Sequence, residues 1–126
     1  MFQSELPNFV NRQTVGKFGE DLACKFLTKH GFKILERNFR IRGGEIDIIA
    51  REGRTLVYVE VKTRSSHQFG LPEEAVTYWK IKFLERAAKF YRNAHPNLPV
   101  QERIDVVTID TSRTPTHLKL IKNISF

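Results

Sequence analysis

The sequence predicts an α/β domain: a central mixed five-stranded sheet flanked by two helices, in the order α-β-β-β-α-β-β. Three observations carry this. Residues 44–64, GEIDIIAREGRTLVYVEVKTR, alternate with period two and are rich in β-branched residues, the mark of strands. Two longer segments, from Arg12 to His30 and from Pro72 to about Asn93, carry apolar residues at helical spacing. The strands on either side of the second helix are expected to pair in parallel, because a crossover helix between them permits it.

Residues 1–11 hold Pro7 and no periodicity, and read as a flexible N-terminal arm ahead of a single domain over 12–126. In the first helix Val15, Phe18, Leu22, Ala23, Phe26 and Leu27 form one apolar stripe, and Gly31 follows where a left-handed residue ends a helix. Gly16, Gly19 and Ala23 cluster on one flank. Glycine weakens a helix, so this flank is expected to approach another backbone closely. Glu20 stands at its rim, within reach of whatever is approached; a solvated helix carboxylate is the commoner role for a single Glu. Phe32 to Arg40 reads as a strand and Arg42-Gly43-Gly44 as a turn. Arg37, Arg40 and Arg42 either line a nucleic-acid path or keep an edge strand soluble.

The hairpin follows, with Glu52-Gly53-Arg54-Thr55 as its turn and Gly53 free to take positive φ. A two-residue or a four-residue loop gives the same register: Ile49 faces Tyr58, Asp47 faces Glu60 and Glu45 faces Lys62. A three-residue loop would set Ile46 opposite Glu60 and mix apolar and charged faces, which a half-buried sheet resists. The even register brings Asp47 and Glu60 side by side on one face, Cβ atoms roughly 5 Å apart, with Lys62 about 7 Å along the strand. Opposed carboxylates repel, and a divalent cation such as Mg²⁺ removes the conflict. A lysine beside such a site pairs with phosphate or helps orient a water. The competing reading is a solvated hairpin face with Glu45–Lys62 as an ordinary ion pair.

Ser65 to Gly70 is a polar loop. Leu71 as a staple residue, Pro72 at the first helical position and Glu73-Glu74 at the positive helix end announce the second helix. Its stripe takes in Val76, Phe83, Leu84, Ala87, Phe90 and Tyr91, with Trp79 on one flank. Lys80 projects from the middle of the stripe, where it needs an anionic partner or must snorkel to the edge. His95 to Pro99 connects to a strand at 103–110, which carries Asp105 among apolar neighbours, and 117–124 forms the last strand.

Twenty-one Lys and Arg against fourteen Asp and Glu leave a net charge of +7 over 126 residues, which suits a polyanionic partner such as nucleic acid. The single cysteine, Cys24, excludes an internal disulfide and fits a cytoplasmic location. His30, His67, His95 and His117 lack zinc-ligand spacing. No apolar run approaches a membrane span, and the first residues lack a secretory layout.

The segments GKFGEDLA, GFKILERNFR, GEIDIIA, VYVEVKTRSS, FGLPEEAV and IDVV, in this order over nearly the whole chain from Gly16, resemble the YraN family of small bacterial proteins. That family in turn resembles archaeal Holliday junction resolvases and the restriction-endonuclease-like fold, whose signature is an acidic residue followed by (Asp/Glu)-x-Lys on the adjoining strand. Asp47, Glu60, Val61 and Lys62 fall on the signature, and Glu20 matches the helix acid of the resolvases. Ile46 stands where a proline often precedes the first Asp. The resemblance implies that Asp47, Glu60 and the Val61 carbonyl hold Mg²⁺ or Mn²⁺, that Glu20 acts through a water of the metal and that Lys62 positions the nucleophile. Arg37, Arg40, Arg42, Arg64 and Lys80 would then contact the nucleic acid, and a homodimer would suit a symmetric junction by analogy.

The leading expectation is therefore a metal-dependent nuclease acting on branched or damaged DNA. The alternative is a nucleic-acid-binding protein of the same fold without physiological catalysis. A protein-interaction adaptor has only Phe2 and Phe9 in the arm behind it.

Overall fold

The computed structural model describes residues 12–65 and 76–124. The arm, with Phe2 and Phe9, the side chain of Val15, the loop at 66–70 and the start expected for the second helix at Leu71 to Glu74 lie outside the described residues. Two helices and five strands follow in the expected order: α1 (Arg12–Lys29), β1 (Lys33–Ile41), β2 (Gly44–Glu52), β3 (Thr55–Arg64), α2 (Tyr78–Ala94), β4 (Gln101–Asp110) and β5 (His117–Ile121). The sheet runs β1-β2-β3-β4-β5. Only β3 and β4 are parallel, from Thr55↔Gln101 to Arg64↔Asp110, as the crossover through α2 permits. One end of each of the last two strands shifts from expectation: β4 starts at Gln101 and β5 stops at Ile121.

Each helix covers one face of the sheet. Leu22, Ala23 and Leu27 of α1 pack with Phe32, Ile48, Ala50, Val57, Val59, Val107 and Ile109, and Phe18 and Phe26 join from the margin. The helix ends as its sequence dictates. Gly31 takes φ +90, its N–H reaches the Thr28 carbonyl at 3.1 Å and the Phe32 N–H reaches that of Leu27 at 3.0 Å. That pair of bonds is a Schellman motif, sealed by the apolar contact of Leu27 with Phe32. The close approach expected of the small-residue flank occurs at Gly19, where a Cβ would lie 2.5 Å from the Thr63 hydroxyl, and not at Gly16, which faces open space.

On the other face Ile81, Leu84, Ala87, Ala88 and Tyr91 of α2 pack with Ile46, Ile49, Leu56, Tyr58 and Ile104. This corrects the expected stripe. Thr77 is the N-cap, extended at φ −88 and ψ 164, and its hydroxyl accepts the Lys80 N–H at 3.1 Å. The helix therefore begins beyond Val76, which packs against the core from outside it. Ile81 belongs to the buried row, whereas Phe90 is 58% exposed. Small residues at 87 and 88 let the helix lie against Tyr58, whose hydroxyl donates to Glu102 at 2.8 Å and lies 3.5 Å from the Ala88 carbonyl.

Strand β2 serves both cores in an order that simple alternation forbids. Ile48 and Ala50 join the α1 side while Ile46 and Ile49 join the α2 side. Period two would keep Ile46 with Ile48, so the side-chain parity reverses at Asp47. Across the ladder, Asn38 lies between the pairs Arg37↔Ile48 and Phe39↔Ile46 and takes φ 55. A left-handed residue inside a strand is rare and clusters at irregular, often functional positions.

On β4, in the cross-strand row of Ile48 and Val59, Asp105 is fully buried and held by two nitrogens of Arg103 at 2.9–3.1 Å and by the Asn123 N–H at 2.9 Å. Arg103 also pairs with Glu52, which takes Lys122 at 3.0 Å. This network ties β2, β4 and the segment after β5 together.

Candidate functional site

The β2–β3 ladder has the even register, with Ile49 opposite Tyr58, and its pairs run from Glu52↔Thr55 to Ile48↔Val59. Asp47 and Glu60 come one step later. There the Asp47 side chain turns to β3 and accepts the Val61 N–H at 2.8 Å. A buried amide is thus satisfied by a carboxylate just past the last backbone pair.

Glu60 follows Val59, which faces α1, so Glu60 faces α2. Its side chain is 4% exposed and lies between two ammonium groups, Lys62 Nζ at 3.3 Å and Lys80 Nζ at 3.5 Å. Its Oε1 is buried and accepts no hydrogen bond among the described residues. Lys80 lies at the flank of the buried helix row rather than its middle, and its ammonium points to Glu60 rather than away into solvent. The same ammonium is 5.1 Å from the Phe83 ring.

On the α1 side, carboxylate oxygens of Glu20, Glu45 and Asp47 lie within 4.8 Å of one another. Glu20 accepts from Arg37 at 3.3 Å, and the same nitrogen reaches Asp21 at 2.8 Å. Glu45 pairs with Arg40 at 3.1 Å. Burial, the neighbouring charge of Glu60 and a carboxyl–carboxylate hydrogen bond to it push the Asp47 carboxyl up to about 8, against the opposing effects of the Val61 N–H and Lys80. Without a cation Asp47 thus keeps its proton to a much higher pH than an ordinary aspartate.

The residues singled out by sequence thus fall in two groups that meet at Asp47: Glu20 with Asp47, and Glu60 with Lys62 and Lys80. Glu45 is the acid that sequence reasoning left in an ion pair with Lys62. It pairs with Arg40 instead, because the β1–β2 ladder sets Arg40 directly opposite Glu45 while the β2–β3 ladder stops short of it. Its signal was available, two residues before Asp47 on a strand. Of the arginines, Arg37 spends its guanidinium on the α1 acids and Arg40 pairs with Glu45 while 79% of its side chain stays exposed. For Arg42 and Arg64 the bonds are to backbone carbonyls, from Arg86 at 3.4 Å and from the Thr111 N–H at 2.9 Å.

Hard carboxylate oxygens at this spacing suit a divalent cation, and the flanking ammonium groups suit a phosphate. No described helix is long and apolar enough to cross a membrane.

Residues 19–109 match the family described as Uncharacterised protein family UPF0102. A UPF0102 protein from Caldicellulosiruptor bescii is 47% identical over 117 residues, covering 90% of this chain and 98% of that one. Another, from Geobacter metallireducens, is 44% identical over 114 residues, covering 90% and 93%. A third, from Syntrophomonas wolfei, is 48% identical over 100 residues, covering 79% and 86%. Among solved structures, SfsA from Pyrococcus furiosus in complex with Ca²⁺ overlays with a TM-score of 0.41 at 12% identity. That overlay covers 91% of this chain and 65% of SfsA, so this chain spans just under two thirds of it, and a likeness at this level adds nothing to the assignment.

Proposed function

The chain belongs to the uncharacterised protein family UPF0102, and from that footing we propose that it is a divalent-metal-dependent nuclease acting on DNA, of restriction-endonuclease-like design. The observation that supports this most is Glu60. It is a buried carboxylate with an unsatisfied oxygen, set beside two lysines and next to a second carboxyl that burial keeps protonated. Buried carboxyls crowded together with perturbed titration are characteristic of sites that trade stability for chemistry.

The donor set fits Mg²⁺ or Mn²⁺, because every side chain in it offers hard oxygen. Asp47 and Glu60 would hold the cation together with the Val61 carbonyl, and Glu45, whose carboxylate lies within 4.8 Å of those of Asp47 and Glu20, would add a ligand. When bound, the cation neutralises charge on the phosphodiester and lowers the pKa of water. Lys62 and Lys80 draw the phosphate in and offset the charge that builds on its oxygens. Glu20 is held by Arg37 less closely than Asp21 is, at 3.3 Å against 2.8 Å, and takes the proton of the attacking water as the new P–O bond forms. The bond to the leaving oxygen then breaks, and that oxygen collects a proton from solvent.

One observation favours the alternative of binding without catalysis. Each acid already has a partner: Arg37 for Glu20, Arg40 for Glu45, two lysines for Glu60 and a proton for Asp47. Incubation with Mg²⁺ or Mn²⁺ and labelled duplex, single-stranded, forked and four-way DNA, with RNA counterparts, separates the two. Cleavage that is lost on chelation and in Asp47→Asn supports the nuclease. Binding that weakens steeply with salt, with no cleavage under either metal, supports the alternative. No binding to any substrate at low salt defeats both.

A further inference from the structure

The first turn of α2 exposes Tyr78 at 46% and Trp79 at 78%, the largest apolar rings given up to water among the described residues of this turn. Trp79 is the sole tryptophan of the chain. Its ring meets that of Tyr78 edge-on, with centroids 5.2 Å apart and planes at 75°. This leaves an indole face unclaimed by the core. Exposure alone needs no explanation; its pairing with Tyr78 beside lysines is what gives the ring a use.

The surroundings say what that use is. The Lys82 ammonium lies 5.3 Å from the Tyr78 ring, and Lys80, the residue after Trp79, reaches Glu60 at 3.5 Å. The first turn of the helix contains no acid, and its N-terminal end carries positive partial charge. An exposed indole at a helix start that also carries Lys80 and Lys82, the latter over Tyr78 and paired with Glu85 at 3.3 Å, complements a base attached to a phosphate backbone. Lone aromatic rings with neighbouring lysines bind single-stranded nucleic acid this way, since every base offers a π face. Bases inside a duplex are already stacked and cannot use the ring.

We propose that Trp79, buttressed by Tyr78, is a stacking platform for an unpaired base, with the adjoining backbone running over Lys82 and Lys80 toward Glu60. This rests on the nuclease or binding reading above for the partner's chemistry, and deepens it by selecting substrates with unpaired nucleotides next to the site.

The test uses the full chain in EDTA, so that nothing is cut. Its probes are an oligothymidylate, a blunt duplex of the same length and a fork with single-stranded arms. Tryptophan emission reports Trp79 alone, and anisotropy of labelled probes reports binding. The oligothymidylate and the fork should quench the emission saturably, and the blunt duplex should leave it nearly unchanged. Trp79→Ala should weaken oligothymidylate binding between about fivefold and a hundredfold, leave duplex binding unaltered and keep Mn²⁺-dependent activity on blunt duplex where the wild type has it. Trp79→Phe should restore much of the loss. Equal oligothymidylate affinity in Trp79→Ala overturns the proposal, as does unchanged emission while anisotropy shows the probe bound. Emission that follows protein concentration and ignores DNA also overturns it, since a second copy then covers the ring. In these three outcomes duplex binding or cleavage leaves the proposed function standing; failure to bind every probe brings down both.

Discussion

The Asp47 carboxylate accepts the Val61 N–H at 2.8 Å, one step past the last β2–β3 backbone pair. A side chain thus holds the two strands together where the ladder has ended. The same carboxyl is buried against Glu60, so one residue both closes the sheet and carries the repulsion of the site.

That double duty gives a pH dependence whose sign is fixed. Asp47 has a raised value of about 8 in the folded chain, against roughly 3.9 when unfolded. Between these values the folded state binds the extra proton, so stability of the metal-free protein should fall as pH rises from about 4 to about 8, by a few kcal/mol, and level off above. Asp47→Asn keeps an oxygen for Val61 and should flatten the slope and stabilise the protein at neutral pH. Urea titrations in EDTA across this range measure it. A wild-type slope that survives in Asp47→Asn assigns the effect to another group.

Lys80 is a test of how Glu60 is compensated. Lys80→Met removes the ammonium 3.5 Å from Oε1 and leaves Lys62 on Oε2. A buried carboxylate with half its neutralisation gone should lower stability by about 1–3 kcal/mol, and the Asp47 carboxyl should move further up because Lys80 holds it down. Carbon-13 NMR of the aspartate carboxyls follows the titration. No change in either quantity would mean that the Lys80–Glu60 pair is merely incidental.

Two glycines on one helix should respond in opposite directions. Gly16→Ala meets nothing within 4 Å and should gain up to about 1 kcal/mol from helix propensity. Gly19→Ala drives a methyl to 2.5 Å from the Thr63 Oγ1; Thr63 is β-branched and stiff, so the clash should cost about 1–3 kcal/mol net. Thr63→Ala in the Gly19→Ala background should recover much of that loss, a coupling that a thermal-melt cycle reads directly.

Asp105 supplies the structural control. Asp105→Ala strips Arg103 and the Asn123 N–H of their buried acceptor and should cost about 3–5 kcal/mol. At a temperature where the variant is still folded, nucleic-acid affinity should match the wild type, because Asp105, paired with Val59, points to the α1 face of the sheet whereas Glu60 points to α2. A selective loss of affinity without loss of stability would contradict that separation.

The strand order, the parallel β3–β4 pair, the hairpin register and the Gly31 stop were legible because each follows from short-range chemistry: alternation, turn residues and capping. The face reversal at Asp47 was not. It depends on Asn38 taking φ 55 in a neighbouring strand, and nothing in the local pattern of β2 announces it. For the same reason the partner of Glu45 was misjudged, since its neighbour across β1 decides the pairing. The Thr77 cap of α2 was not foreseen, because the hydroxyl of a lone Thr ahead of Tyr78 and Trp79 gives no stronger cue than Pro72 and Glu73-Glu74, which lie outside the described residues. Glu60 and Lys62, two apart on one face of β3, stood out from their spacing alone; the arrival of Lys80 from α2 required the packed helix.

Strand β3 is joined to β2 by the two-residue turn at Gly53 and Arg54, and to β4 only across the whole of α2 and its connections. A refolding chain can zip the first ladder within microseconds, whereas the second must wait for a long loop to close. Glu60 meets Lys80 only when α2 docks, which is part of that slow closure. The charged cluster is thus expected to assemble last, on a framework of apolar contacts already able to bear it, and kinetics followed at Trp79 should lag behind the appearance of the hairpin.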